Sequence, residues 1–375
     1  MLIGIDIRRS GDFGVGTYIR NLILALTRVG PDERYILVGQ PGHFEDLGEL
    51  PANFSSHIYP RPYDAWQSHL GLGAVVRRLG LDVFHMPHRW IPYFLPSPYV
   101  VTLHDLNSIL FPRASSAWVK ALDRHVLIHG LRNATRVMAV SQATKRDAVR
   151  RLGLPVEKFE VIPDAVDSGV AQPVSDEERE RILARYQVTD PFVLYAGRIQ
   201  VHKNLPRLIE AFAVVKSELE NHPRYANLRL IIIGDELSAL PELRHSVMRA
   251  GIQSSVRFLG FVSVDTLRVF YASATAFLFP SLYEGFGLPP LEAMAHGTPV
   301  ITSNLSSMPE VVGDAAVLVK PQNVFDIARG LRQVLLDDDF RRDLGFRGRR
   351  QAESYSWDDT AQKVLDTYRR VTSER

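Results

Sequence analysis

A chain of 375 residues is too long for one ordinary hydrophobic core and predicts two domains. Its 46% apolar and 23% charged residues, with a net charge of +2, exclude a disordered chain and describe a soluble globular protein. The absence of cysteine excludes disulfides and thiolate metal sites and fits a cytoplasmic location. Met1–Arg9 lacks the apolar middle and cleavage site of a secretory signal, and no apolar run is long enough to span a bilayer.

Strand-like runs alternate with helical patterns along almost the whole chain. The first half offers strands at Leu2–Ile7, Tyr35–Val38, Val83–His85, Tyr99–Leu103 and Arg136–Val140, with helical patterns including Gly16–Val29 and Trp118–Arg132. The second half repeats the alternation at Phe192–Ala196, Leu228–Ile233, Val256–Phe258, Ala276–Phe279, Val300–Thr302 and Ala316–Leu318. Such alternation predicts an α/β protein of two doubly wound parallel sheets. The boundary falls in a polar stretch between Asp164 and Asp190, giving domains of 1–168 and 185–355. A last helical stretch, Trp357–Thr372, has no strand after it and is expected to pack back onto the first domain, which then also takes in about 356–375. Ligands of open α/β sheets bind at the carboxyl ends of strands, so two facing domains predict a site in the cleft between them.

The glycine loops and charges sit at those strand ends. Gly11, Gly14 and Gly16 follow the first strand and open the first helix, where backbone can approach a phosphate closely. Their spacing is not the dinucleotide fingerprint, and a plain tight turn explains them equally well. The missing fingerprint also argues against a nicotinamide dehydrogenase. His104 and Asp105 follow another apolar run; His104 suits a sugar hydroxyl or developing charge, or a structural role. Arg198 and Lys203 follow the first strand of the second half and can close on a diphosphate from two directions, although a solvated loop with two unrelated charges is common.

Glu284-Gly285-Phe286-Gly287-Leu288-Pro289-Pro290-Leu291-Glu292 joins a glycine loop to a helix start, with prolines where a missing N–H costs little and a stop at Gly297. A helix N-terminus after a glycine loop is an anion site. Carboxylates beside such a site repel a phosphate, so Glu284 and Glu292, the latter in or near the first turn, suit sugar hydroxyls instead. Phosphate and sugar together predict a sugar nucleotide as ligand.

Other features are weaker. His85 and His88 have a metal-like spacing but no third ligand nearby. Asp337, Asp338 and Asp339 read as a solvated helix end. The proline-rich Trp90–Tyr99 suits core packing or an apolar contact. Between Arg113 and Lys158 ten Lys or Arg face three acids. That region, 113–158, is either a set of solvated helix faces or a patch for an anionic partner, such as a lipid diphosphate acceptor or the inner face of a membrane. No nucleic-acid motif accompanies it.

These residues resemble the retaining glycosyltransferases of family 4, which have the GT-B fold. The resemblance rests on the two glutamates with seven residues between them, Glu284 and Glu292, and on Gly197-Arg198 with Lys203-Asn204. It continues through Gly14-Val15-Gly16-Thr17, Thr102-Leu103-His104-Asp105, Val140-Ser141, Val161-Ile162-Pro163, Gly260-Phe261-Val262 and Tyr355-Ser356-Trp357, in the family's order. Where the family has Asn-Gly after Ile-Pro, Asp164-Ala165 stands here.

The resemblance implies two Rossmann-like domains facing across a cleft and a metal-independent transfer with retained configuration, needing no cofactor beyond the nucleotide-sugar substrate. Arg198 and Lys203 would neutralise the donor diphosphate. Glu284 would accept from sugar hydroxyls, and backbone N–H groups around Gly285, Phe286, Gly287 and Leu288 would bind sugar and phosphate oxygens. Glu292 would bind the ribose, and Phe261 and Val262 would meet the base. His104 would contact the transferred sugar, with Gly14 and Gly16 near the phosphate. Ser303–Ala316 and Leu81–His88 are similar to members that transfer mannose from GDP-mannose in polysaccharide assembly, with UDP-glucose or another UDP-hexose as the alternative donor. The acceptor would be a glycan or a lipid-linked saccharide. A GT-B epimerase or phosphorylase and a non-catalytic sugar-nucleotide binder are the remaining alternatives.

Overall fold

The computed structural model describes residues 1–112, 116–234 and 241–374. They form two compact units, residues 1–165 with 355–375, and residues 166–354. Each carries one all-parallel sheet, as the alternation of strand and helix patterns predicts.

The first unit holds β1 (Leu2–Asp6), β2 (Arg34–Gly39), β3 (Phe54–Ile58), β4 (Val83–Met86), β5 (Tyr99–Leu103), β6 (Arg136–Ala139) and β7 (Phe159–Val161). Their order is β3-β2-β1-β4-β5-β6-β7, so the winding reverses between β1 and β4. Ile3 lies opposite Tyr35 on one side and Val83 on the other. β4 and β5 are buried along their whole length, which is why they read as largely apolar runs, broken only by His85 and Thr102. β3 is missing from the sequence reading. It is an edge strand, Phe-Ser-Ser-His-Ile in sequence, with its middle serines exposed, and a polar edge strand shows no apolar run.

The helix Trp357–Ser373 belongs to this unit. Ser356 caps it by accepting from the N–H groups of Asp358 and Asp359, and those two acids suit the positive end of the helix dipole. Its stripe of Trp357, Ala361, Val364, Leu365, Tyr368 and Val371 is buried against Ile19, Leu22, Ile23 and Leu26 of the helix Val15–Val29 and against the sheet. Each large apolar side chain buried there contributes about 1.5–3 kcal/mol as an upper estimate.

The second unit holds β8 (Phe192–Ala196), β9 (Arg229–Ile233), β10 (Val256–Gly260), β11 (Ala276–Phe279), β12 (Val300–Ser303) and β13 (Ala316–Val319), in the order β10-β9-β8-β11-β12-β13. Here the winding reverses between β8 and β11. The polar stretch after Ser175 folds into the helix Asp176–Arg185. Ser175 caps Glu178, Ile182 is buried, and Arg268 pairs with Glu178 at 2.5 Å. Asp337 is likewise an N-cap, accepting from the N–H of Phe340 at the start of the helix Asp338–Glu353.

Candidate functional site

The crevice of a doubly wound sheet lies where its winding reverses, beyond the carboxyl ends of the two central strands. In the second unit those strands are β8 and β11, and the candidate residues stand at their ends. β8 runs out through Gly197, at φ 143°, into a short turn, Val201–Lys203. Asn204 follows at φ 63° and opens the helix Leu205–Glu218. Its buried amide donates to the carbonyls of Pro280 at 3.0 Å and Pro321 at 2.7 Å, clamping this turn to the end of β11. The clamp holds Lys203 over the ring of Phe279, 4.9 Å from its centroid, and Phe279 in turn stacks on Tyr195. Lys203 Nζ donates to both carboxylate oxygens of Glu284, at 2.7 and 2.8 Å. Two residues expected to hold different parts of a ligand are therefore bonded to each other. Arg198 is exposed, and its carbonyl accepts from the Tyr195 hydroxyl at 3.1 Å.

The loop from Glu284 to Gly287 is fixed from β12. Ser306, held at φ 59°, donates from its hydroxyl to the Glu284 carbonyl at 2.5 Å. The Ser307 hydroxyl lies 2.5 Å from the Phe286 carbonyl and 3.1 Å from that of Glu284. Gly287 caps the helix Leu288–Ala295 at φ 121°, and a Cβ there would meet Met308 Cε at 2.0 Å. Because Pro289 and Pro290 have no N–H, the donors this helix start can offer an anion are those of Gly287 and Leu288. Gly297, at φ 73°, ends the segment as its position suggests.

Glu292 is the fifth residue of that helix, in its second turn and not its first. It accepts a hydrogen bond from the Tyr271 hydroxyl at 2.8 Å. Desolvation pushes its carboxyl up to about 7, partly opposed by the Tyr271 bond and helped by Asp167. Its charge is thus poised near neutral pH. Tyr271, Ser306, Ser307 and Asn204 are the supporting residues to which motif reasoning assigned no role. Phe261, 53% exposed, and half-buried Val262 follow the end of β10 on the same carboxyl edge.

His104, Gly14 and Gly16 belong to the first unit, at the carboxyl ends of β5 and β1. Gly14 is exposed at φ 74°. Gly16 is buried, with room for no side chain: a Cβ would lie 2.3 Å from the Ser10 carbonyl oxygen. Its N–H donates to the Asp12 carbonyl at 3.0 Å, so the tight turn accounts for this glycine by itself. The His104 ring packs edge-on against Tyr18, centroids 4.8 Å apart. Below it runs a buried chain of hydrogen bonds. The Tyr18 hydroxyl meets Thr102 Oγ1 at 2.9 Å, Thr102 meets His85 Nε2 at 2.8 Å, and His85 Nδ1 meets the Tyr368 hydroxyl at 2.6 Å. Both His85 nitrogens are thus occupied, which makes it a structural histidine, and burial lowers its pKa to about 3. His88 is buried 3.4 Å from Asp6. Burial alone would raise the Asp6 carboxyl, but the Arg8 guanidinium, 2.6 Å away, holds it well below the usual range. Among the described residues no three His, Asp or Glu side chains gather as metal ligands would.

The basic region is partly spent on the unit's own structure. Lys145 donates to the Phe159 carbonyl, Lys158 to that of Ala134, Arg124 to that of Arg151, and Arg136 pairs with Glu374. Arg113 lies outside the described residues. The proline-rich segment divides as well: Ile91 and Leu95 are buried, whereas Phe94 is 54% exposed. Among the described residues no helix is long and apolar enough to cross a membrane.

Residues 176–351 match the pattern of the group 1 glycosyl transferases, and residues 14–169 that of glycosyltransferase family 4. The chain is 31% identical over 288 residues to O-antigen chain mannosyltransferase B of Escherichia coli, covering 76% of this chain and 74% of that one. It is 30% identical over 384 residues to an uncharacterised glycosyltransferase of Methanocaldococcus jannaschii, covering 95% and 94%. Its fold is similar to that of HepE from Anabaena, solved with UDP and glucose, with a TM-score of 0.77 at 20% identity over 98% of this chain and 99% of that one.

Proposed function

The chain belongs to the family 4 glycosyltransferases, enzymes of GT-B fold, and we propose that it transfers mannose from GDP-mannose to a glycan or lipid-linked saccharide, with retained configuration and without a metal. The observation that carries this reading is the Lys203–Glu284 pair at the winding reversal of the second sheet, beside the helix start at Gly287 and Leu288. Breaking the anomeric carbon–oxygen bond builds positive charge on the sugar and negative charge on the departing diphosphate. Lys203 and Arg198, with the N–H groups of Gly287 and Leu288, suit that negative charge, as fixed donors in a poorly solvated place stabilise it most. Glu284 and Glu292 suit the hydroxyls of the transferred sugar and the ribose. The departing phosphate would take the acceptor's proton, on the side from which it leaves.

Mannose as the transferred sugar is supported by the relationship to the O-antigen mannosyltransferase, which covers most of both chains. A second reading, a UDP-hexose donor, is favoured by the similarity to HepE, which was solved with UDP and glucose. Hydrolysis assays across GDP- and UDP-sugars, with and without EDTA, decide between them. Turnover of GDP-mannose unaffected by EDTA is the expected result. Failure of every sugar nucleotide to bind, or a strict need for a divalent ion, would sink the reading.

We also propose a cytoplasmic location at the inner membrane face. The first two turns of the helix Ala117–Asn133 are exposed and carry Trp118 at 72% exposure with Val119 and Leu122, flanked by Lys120 and Arg124. Aromatic and aliphatic side chains among cations suit an anionic bilayer surface. Flotation with phosphatidylglycerol vesicles should carry the wild type, and Trp118→Glu should abolish it. Equal flotation of the two would remove this helix from the contact.

A further inference from the structure

His104 holds its ring in one tautomer. Its Nε2 lies 3.1 Å from the Pro87 carbonyl oxygen, which can only accept, so Nε2 carries a proton. Burial lowers the His104 pKa to about 4, so near neutral pH the ring is uncharged and Nδ1 is a bare acceptor. The group facing Nδ1 is the carboxyl of Asp164, whose Oδ2 lies 4.0 Å away. Asp164 is 4% exposed, and its other oxygen, Oδ1, has no hydrogen-bond partner among the described residues. This is the position where the family resemblance leads one to expect asparagine.

A separation of 4.0 Å is too long for a direct hydrogen bond. It is right for one oxygen atom bonded to both, since two contacts of about 2.8 Å span that gap easily. We propose that Asp164, in its acid form, joins His104 in binding one hydroxyl oxygen of the sugar substrate. The carboxyl donates its proton to that oxygen, and the hydroxyl donates its own to His104 Nδ1. Asp164 Oδ2 and His104 Nδ1 then each have a partner, with no net charge enclosed. The inference rests on the proposed transferase reading and on the sugar contact that the family resemblance implies for His104.

The surroundings favour the acid form. Burial pushes the Asp164 carboxyl up to about 8. The titratable neighbours do not reverse this: the Tyr18 hydroxyl is tied to Thr102, and the groups that act on His104 are Asp105, Arg9 and His88. As the pH rises through about 8 the proton is lost, and the hydroxyl then meets an acceptor on both sides.

The test uses the full chain, with GDP-mannose, or UDP-glucose if that is the donor the wild type turns over, and the monodeoxy analogues of that donor. In the wild type the donor KM should rise about tenfold from near pH 7 to pH 9.5, the loss of about one hydrogen bond. Asp164→Asn keeps a donor that does not titrate, so its KM should show no rise over that range. Asp164→Ala should raise KM about tenfold at pH 7. The one deoxy analogue that weakens wild-type binding through this contact should cost nothing further in Asp164→Ala. The same pH dependence in Asp164→Asn and wild type, or an Asp164→Ala enzyme with unchanged KM, overturns the proposal. Deoxy penalties identical in wild type and Asp164→Ala also overturn it, since the bridged oxygen is then a water. A wild type that turns over no nucleotide sugar defeats the functional reading instead. The ring ¹⁵N signals of His104 in the unliganded protein then decide the pairing: a step near the Asp164 titration that Asp164→Asn lacks supports it, and its absence refutes it.

Discussion

Lys203 and Glu284, 81 residues apart in sequence, meet with the ammonium 2.7 and 2.8 Å from the two carboxylate oxygens. Their side chains are only 13% and 9% exposed. The pair keeps two poorly solvated charges compensated; under the proposed function a diphosphate would claim the lysine and a sugar hydroxyl the glutamate.

Removing one partner of such a pair leaves an uncompensated charge in a poorly solvated place. Lys203→Ala should therefore abolish transfer and destabilise the second unit by about 1–3 kcal/mol while leaving it folded. The double variant Lys203→Ala/Glu284→Ala should be less destabilised than the sum of the two singles, in denaturant melts. Strict additivity, or near-normal turnover of either single variant, would take the pair out of the site.

In the proposed ribose-binding role Glu292 accepts best from both hydroxyls as a carboxylate, and burial pushes its carboxyl up to about 7. Affinity for the nucleoside diphosphate should accordingly rise as pH increases through that value. The Tyr271 bond favours the carboxylate, so Tyr271→Phe should move the midpoint to higher pH. Calorimetric titrations from about pH 5.5 to 8.5 would show this; an unmoved midpoint would mean that Tyr271 does not tune the carboxyl.

At Gly287 two constraints coincide, φ of 121° and a gap filled by Met308 Cε. Gly287→Ala should weaken donor binding and cost about 1–3 kcal/mol of stability. Adding Met308→Ala removes the clash but not the backbone strain, so it should restore only part of the loss. Full recovery in thermal melts would assign the whole effect to the side-chain clash.

The first unit should be acid-sensitive through His85. Its folded pKa of about 3 is depressed from an ordinary value near 6.5, so its neutral form supports stability above about pH 6.5. That support is lost as pH falls toward 3, because the unfolded chain binds a proton that the folded ring refuses. Replacing His85 by Gln should flatten the melting temperature of this unit between pH 7 and 4. An unchanged slope would shift the acid sensitivity to other groups.

Much of the architecture was legible in local pattern. Tyr99–Leu103, Phe192–Ala196 and Ala276–Phe279 are strands with the bounds their apolar runs suggest, because a strand buried on both faces carries few polar residues. The prolines and glycine around Leu288–Ala295 mark a helix start and stop because each acts on its own backbone. The edge strand β3 escaped notice because exposure removes the apolar signal, and the helix after Ser175 because a surface helix buries little beyond Ile182.

The sequence by itself determined two doubly wound sheets, the loops at their strand ends and the kinds of charge those loops carry, since period, capping and turn chemistry are local. Only the tertiary structure decided which side chains meet. It set Lys203 on Glu284, Tyr271 on Glu292, His85 between Thr102 and Tyr368, and Asp164 opposite His104. Those hydrogen-bonded partners stand 17 to 283 residues apart in sequence. Desolvation by packing, which no local pattern encodes, then set the protonation states on which the proposed chemistry depends.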